Sequence, residues 1–309
     1  MVIGADQKYV KKRSVVPSAR KKLLQSNNSY YQISCFKDSC PCDTYCGRGF
    51  FSIFIQVIYG FVFAKKFSLP VKVDFKPIPV YGDPDLGPFW RQYFNDYVDK
   101  NFIKDYIPIE NEYFETYPLC IWEKNHLRLL HEFAKPTVLI KEDIFSYLEI
   151  KSNQVSSQKT LAVHIRRTDH HVESGFLSLK SYYKNISKCL DNFDNVFVAT
   201  DSEEVLNKMK KWFGRFLVYN DVIRSPTEQA VHNMSKGRNG YQLGLEALLD
   251  CYCISKSKMA LLSNSNLSYA ALIFNPDLPY RVLENWPSRI HRWKSSILFW
   301  LDELGIRRL

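Results

Sequence analysis

The chain has 309 residues, of which 46% are hydrophobic and 15% aromatic, so it can bury a large core, which we expect to be divided between two domains. Its net charge of +10 invites a nucleic-acid-binding interpretation, but residues 1–22 carry seven basic side chains against Asp6 and supply +6 of it. We therefore predict that residues 1–31 form a basic, mobile arm, that nucleic acid is not a partner, and that the arm gives at most weak peripheral contact with membranes.

The beginning of the sequence lacks the pattern of a secretory leader. The first thirty residues have no apolar stretch followed by a small-residue cleavage site. We expect a cytoplasmic protein, or a Golgi or secretory one only if the natural N-terminus is missing. The longest apolar stretch, residues 50–64, carries Ser52 and Gln56 and is too short to span a bilayer comfortably. It predicts a core helix and no transmembrane segment.

The cysteines leave three states open. Cys35, Cys40, Cys42 and Cys46 are clustered without the paired spacing of common zinc sites, so free thiols, disulfides and zinc all stay as alternatives. Cys251 and Cys253 lie in an apolar helical pattern, which favours small core residues.

The first predicted domain, residues 32–150, is an α/β unit rich in aromatic residues. A Gly47-Arg48-Gly49 turn precedes the apolar helix, and an extended segment follows at residues 71–75. Asp83-Pro84-Asp85 is the only Asp-x-Asp, and its Pro/Gly setting indicates a turn, not a metal site. Aromatic side chains between residues 76 and 141 either stack on an acceptor sugar or fill the core: Trp90, Tyr93, Tyr113, Tyr117 and Trp122. The polar residues 151–159 are predicted to be a linker.

The second predicted domain, residues 160–284, repeats strand and helix, which implies a parallel sheet. Its first strand, residues 161–165, contains His164 and is followed by Arg166 and Arg167. Guanidinium groups at the carboxyl end of such a strand suit a phosphorylated ligand, and the alternative is a surface ion pair with Asp169.

Two later blocks follow the same plan. A strand at residues 195–200 ends in Thr200-Asp201, and Ser202 is predicted to cap a helix over residues 203–213. A helix containing Asp250 then precedes a strand from Met259 and a polar loop at residues 263–268. Residues 285–309 are predicted to form a terminal helix that packs back, with an apolar side made of Ile290, Trp293, Ile297, Leu298 and Leu301.

In order and spacing, these blocks resemble the GDP-fucose-dependent fucosyltransferase superfamily, which includes core α1,6-fucosyltransferases and rhizobial nodulation chitooligosaccharide fucosyltransferases. The resemblance covers residues 45–75 and 161–279 and rests on the following motifs: His-x-Arg-Arg-Thr-Asp at 164–169, Val-Ala-Thr-Asp at 198–201, His232-Asn233, Leu249-Asp250 through Ser255, and Cys46-Gly47-Arg48-Gly49. It implies a GT-B-like α/β fold, with two Rossmann-like domains facing a central cleft, and an inverting, metal-independent transfer of fucose from GDP-fucose to a carbohydrate acceptor.

The resemblance also implies roles for individual residues, with no cofactor and no metal. Arg166 and Arg167 would hold the diphosphate, His164 would lie beside the nucleotide, and Asp250 would contact guanine. The remaining nucleotide-sugar-binding residues would be Gly47, Arg48, Gly49, His232, Asn233, Ser263, Asn264, Ser265, Asn266 and Ser268.

The general base is less well defined, because the sequence departs from the core α1,6 pattern there. Glu173 is one residue out of register, Ser174 occupies the matching position, and His170 replaces a lysine. Glu173 and Asp169 are the preferred candidates, with His170 and His171 as alternatives. Because of these departures, a non-catalytic protein that binds GDP or a glycan stays as an alternative function. A transferase that uses another nucleotide sugar is the further alternative.

Overall fold

The computed structural model describes residues 29–34, 48–66, 68–75, 80–96, 107–110, 120–167, 177–227, 231 and 239–303. Within them the chain is a mixed α/β protein with two parallel sheets, one of three strands and one of five.

The smaller sheet belongs to the first half of the chain. Its strands are β1 (Ser29–Ile33), β2 (Val71–Val73) and β3 (Ile107–Glu110), in the order β2-β1-β3. Helix α1 (Phe50–Lys66) connects the parallel strands β1 and β2, as predicted from its apolar sequence. The other helices of this half are α2 (Phe89–Tyr93), α3 (Lys124–Ala134), α4 (Pro136–Leu139) and α5 (Glu142–Ser156).

The larger sheet belongs to the second half. Its strands are β4 (Thr160–Ile165), β5 (Asn195–Thr200), β6 (Leu217–Val218), β7 (Met259–Leu262) and β8 (Tyr280–Val282). Its helices are α6 (Leu179–Ser187), α7 (Glu203–Phe213), α8 (Gly240–Lys256), α9 (Asn266–Phe274) and α10 (Trp286–Glu303).

The strand order β6-β5-β4-β7-β8 is that of a doubly wound sheet. The chain starts in the central strand β4, proceeds outward through β5 and β6, and then returns to the other side of β4 with β7. Such a reversal opens a crevice at the carboxyl ends of the two strands that flank it. The ligand-binding edge of this sheet is therefore expected between the ends of β4 and β7.

One core connects the two halves. Phe54 of α1 packs edge-on against Phe274 of α9, with ring centroids 5.4 Å apart. The buried Tyr93 contacts α8 as well, because its hydroxyl lies 2.9 Å from the carbonyl oxygen of Tyr241 and beside Gly244. The predicted arrangement of two domains around a cleft stays a prediction, but the described halves share this apolar contact.

Several local predictions are confirmed. Ser202 caps α7 by accepting a hydrogen bond from the amide of Val205, and the helix ends at Phe213. The Asp83 side chain accepts from the amide of Asp85 in a 3₁₀ turn, which agrees with turn chemistry. Cys251 and Cys253 are fully buried in α8.

Three expectations need correction. Residues 29–31, predicted to belong to the mobile arm, form the start of strand β1. The predicted linker is largely helical, because α5 continues to Ser156 and only residues 157–159 form a turn. The predicted apolar packing side of the terminal helix is partly exposed, since Trp293 exposes 66% of its surface. For the aromatic side chains, the core alternative is confirmed at Trp90, Tyr93 and Trp122, which are buried, whereas Tyr113 and Tyr117 lie outside the described residues. In the part of the chain that is described, no helix is long and apolar enough to cross a bilayer.

Candidate nucleotide-sugar site

The residues that follow β4, β5 and β7 meet at one edge of the larger sheet. His164 pairs in register with Ala199 of β5 and Leu262 of β7, which brings the ends of the three strands together. The polar residues after each strand therefore surround the crevice between β4 and β7.

The two arginines after β4 are held by the residue after β5. The Nε atom of Arg166 lies 3.3 Å from Oδ2 of Asp201, and the amide of Arg167 donates a 2.9 Å hydrogen bond to Oδ1 of the same carboxylate. The guanidinium of Arg167 also donates to the carbonyl oxygen of Leu177, at 2.7 Å. Both arginines are half-buried, and burial lowers the pKa of Arg167. An anion arriving here would meet cations that are positioned in advance and only partly solvated.

His164 is surrounded by three serine hydroxyls. Its Nδ1 atom lies 2.7 Å from Oγ of Ser268, 3.1 Å from Oγ of Ser263 and 3.2 Å from Oγ of Ser265. With only 4% of its surface exposed, the ring is fixed in one orientation by these neighbours. The structure thus brings together His164 and three of the five predicted residues of the polar loop.

The same loop begins α9. Ser265 is the N-cap, and its side chain accepts from the amide of Ser268. The first amides of a helix carry partial positive charge and favour anions. Asn266 occupies the first turn, where its side-chain oxygen accepts a weak hydrogen bond from Cys120, and Asn264 lies half-buried before the cap.

Asp250 lies on α8 and is buried, so it is not an exposed carboxylate on the helix surface. Its Oδ1 atom accepts a 2.8 Å hydrogen bond from Nδ2 of Asn220, which lies in the loop after β6. Burial raises the pKa of Asp250 to about 7, although the bond from Asn220 acts in the opposite direction. Glu246 holds the same loop by accepting from the amide of Ile223.

The glycine-containing turn before α1 is only partly described. Arg48 folds back on the helix, donating to Gln56 and, at 3.1 Å, to the hydroxyl of Ser52. Gln56 in turn donates to the carbonyl oxygen of Ser34, just after β1. A side chain at Gly49 would meet no atom of the described residues within 4 Å, so packing against them does not require glycine there.

Several predicted residues lie outside the described residues. These are Gly47, Asp169, Glu173, His170, His171, His232, Asn233 and the cysteines Cys35, Cys40, Cys42 and Cys46. Among the residues that are described, no group of three or more His, Cys, Asp or Glu side chains is arranged to hold a metal ion.

Sequence reasoning missed two residues that organise the site. Asp201 is a described ion-pair partner of Arg166, whereas Asp169, the partner in the ion-pair alternative, lies outside the described residues. Asp201 was recognisable, because it directly follows a strand predicted to be parallel to β4. Asn220, the partner of Asp250, lies in an irregular loop and gave no sequence signal.

Comparison with solved structures relates this geometry to known proteins. The α1,6-fucosyltransferase NodZ soaked with GDP-fucose superimposes with a TM-score of 0.53 at 13% identity, covering 85% of this chain and 96% of that one. NodZ co-crystallised with GDP gives a TM-score of 0.50 at 12% identity, covering 84% and 95%. Selenomethionine NodZ from Bradyrhizobium gives 0.50 at 13% identity, covering 85% and 96%. The chain therefore has the same overall fold as NodZ.

The likeness lies in the fold, because so low an identity says nothing about the individual side chains. No protein-family model matches the chain, and a search of curated proteins gives no match.

Proposed function

We propose that this protein is an inverting, metal-independent fucosyltransferase, which moves fucose from GDP-fucose to a hydroxyl of a carbohydrate acceptor. The observation that carries the proposal is the Arg166–Arg167 pair, which Asp201 holds at the crevice between β4 and β7. The fold supports the same conclusion, since NodZ is a fucosyltransferase studied with GDP and GDP-fucose.

The chemistry requires that negative charge on the departing diphosphate be stabilised. Arg166 and Arg167 supply two guanidiniums, and the N-terminus of α9 supplies oriented amides across the crevice. Fixed donors of this kind stabilise a leaving group in place of a metal ion, because they need no reorganisation when charge develops. His164, fixed by its serine neighbours, would contact the nucleotide beside them.

Asp250 is proposed to select the guanine base. A carboxylate accepts two hydrogen bonds, which matches the two adjacent N–H donors on the Watson–Crick edge of guanine. Uracil offers a single such donor between two carbonyl groups, so UDP is expected to bind poorly. Asn220 would hold the carboxylate in one orientation from its other side.

Asp169 or Glu173 is proposed to remove the proton of the acceptor hydroxyl. The acceptor oxygen would then form a bond to the anomeric carbon of fucose, while the bond between that carbon and the phosphate oxygen breaks on the opposite face. GDP would leave, and the arginines would stabilise the negative charge on its diphosphate. We further propose that the protein acts in the cytoplasm and that nucleic acid is not one of its partners.

The test is calorimetric titration with GDP, GDP-fucose, GDP-mannose and UDP in the presence of EDTA. We expect GDP to bind without metal, UDP to bind at least about tenfold more weakly, and Arg167→Ala to weaken GDP binding by at least about tenfold. Arg215→Ala is the matched control, because Arg215 is exposed at the opposite edge of the sheet.

Turnover of GDP-fucose on a glycan library, with the anomeric configuration of the product read by NMR, would then establish transfer and inversion. Absence of nucleotide binding by folded protein would refute the proposal. Binding of GDP with no turnover on any acceptor would favour the non-catalytic alternative, and turnover with GDP-mannose alone would favour another sugar.

A further inference from the structure

The terminal helix α10 carries a strip of exposed apolar side chains. Trp286 exposes 69% of its surface, Trp293 66% and Ile297 38%, while Ile290 is half-buried between them. With about 3.6 residues per turn, positions 286, 290, 293 and 297 fall on one side of the helix. Two tryptophans exposed to this extent on one helix are unusual for a surface that faces only water.

Basic side chains flank this strip. Arg289 lies on one side of it and Lys294 on the other, and both are exposed. The acidic residues of the helix, Asp302 and Glu303, occupy positions on the remaining part of the helical circumference. The outward side of α10 therefore combines indole rings, aliphatic side chains and positive charge.

The opposite side attaches the helix to the rest of the protein. Ser288 is buried, and Arg292 makes a bidentate ion pair with Glu284, with its Nη2 atom 2.7 Å from Oε1. The guanidinium of Arg292 also lies over the ring of Trp122, 6.0 Å from its centroid. Asn285 caps the start of the helix by accepting from the amide of Ser288. These contacts fix which side of α10 faces outward.

We propose that this side of α10 is a docking surface for an anionic membrane. Tryptophan is favoured at the boundary between headgroups and acyl chains, and flanking Arg and Lys are attracted to acidic lipid headgroups. The helix would lie in the plane of the interface, inserting the indoles of Trp286 and Trp293.

A second copy of this chain fits the outward side of α10 less well than an anionic membrane does. In a two-fold contact the same patch meets itself, so Arg289 and Lys294 of one copy would approach the same basic residues of the other. Like charges at the border of an apolar contact oppose association. An acidic lipid surface neutralises them instead.

The test measures co-sedimentation of the full-length protein with vesicles of phosphatidylcholine and phosphatidylserine, and with vesicles of phosphatidylcholine alone. We expect binding to the acidic vesicles, accompanied by a blue shift of tryptophan fluorescence. The double variant Trp286→Gln/Trp293→Gln should bind at least about tenfold more weakly. Arg289→Gln/Lys294→Gln should weaken binding by about fivefold per charge removed, and only on acidic vesicles.

The matched control is Val138→Gln/Ile150→Gln, which removes two exposed apolar side chains from other helices and should bind like the wild type. Circular dichroism of each variant checks that it is folded. Equal vesicle binding by the wild type and the double tryptophan variant would overturn the proposal, as would no vesicle binding by the wild type. A concentration-dependent dimer in analytical ultracentrifugation that the tryptophan variant loses would overturn it in favour of a protein interface. Because no nucleotide or acceptor enters these measurements, their outcome is independent of the proposed transferase activity.

Discussion

Asp250 offers the sharpest test of the electrostatics of the site. Its pKa is raised from 3.8 to about 7 by burial. Because the folded-state pKa lies above the unfolded value, the folded protein holds more protons between about pH 4 and pH 7, and the free energy of unfolding decreases as the pH rises through this window. We predict that Asp250→Asn removes this decrease.

The size of the effect follows from the pKa difference. A change from 3.8 to about 7, at about 1.4 kcal/mol per pKa unit, gives an upper bound of ~4 kcal/mol above pH 7. Asparagine keeps the side-chain oxygen that accepts from Asn220, so the substitution removes the charge and retains the hydrogen bond. We therefore expect Asp250→Asn to be more stable than the wild type by about 2 to 4 kcal/mol at pH 8, and similar to it at pH 4.

The assay is urea denaturation of both proteins from about pH 4 to about pH 8, followed by circular dichroism. The difference between the two curves isolates residue 250, because the other titrating groups are common to both. Asp85→Asn, which changes an exposed carboxylate in a turn, is the control and should give no such difference. Identical pH dependence of the wild type and Asp250→Asn would refute the reasoning. If Asp250 also selects guanine, the stabilised variant should bind GDP at least about tenfold more weakly at pH 8.

Three further predictions concern stability and are measured by urea denaturation. Gly244→Ala should cost at least about 2 kcal/mol, because its Cβ would overlap the hydroxyl of the buried Tyr93, whereas Gly49→Ala should have little effect in open space. A loss below ~0.5 kcal/mol in Gly244→Ala would contradict the contact. Ser265→Ala should cost about 1 kcal/mol through loss of the N-cap of α9, and no change would mean that another group caps the helix. Asp201→Ala should cost about 1 to 3 kcal/mol by removing the acceptor of the Arg167 amide, and Asp201→Asn, which retains an acceptor oxygen, should cost less.

Elements with a strong periodic pattern were predictable. Helix α7 was placed with both of its ends, because Ser202 supplies an N-cap and Val205, Leu206, Met209 and Phe213 repeat at helical spacing. Strands β4 and β5 were each placed within one residue from short apolar runs. A linker was predicted at residues 151–159 because they are polar in composition, whereas helix α5 continues to Ser156. Its buried side, which includes Ser152 and Val155, contains too few apolar residues to reveal the helical period.

Pairings between distant residues were less accessible. The motif around Arg166 and Arg167 was recognised, but the ion-pair alternative named Asp169, three residues after Arg166, whereas the described partner, Asp201, lies at the end of the neighbouring strand. The sequence shows which residues are close along the chain. The ion-pair partner of Arg166, however, depends on which strands become neighbours in the sheet. The same limit applies to Trp293, whose apolar pattern indicated burial without showing which sides of α10 meet the protein.

The contact between the two halves bears on how the site works. Phe54 of α1 and Phe274 of α9 belong to one apolar cluster, and α9 is the helix whose first turn faces the crevice. The N-terminal end of α8 is also tied to the first half, because Asn239 donates to Asp83 and the hydroxyl of Tyr93 bonds to Tyr241. A rotation of one half against the other would have to break the buried aromatic contact, at a cost of the order of a core substitution, together with these hydrogen bonds. The geometry of the crevice between β4 and β7 is therefore set largely when the chain folds, and the proposed function requires such prior positioning of Arg166 and Arg167.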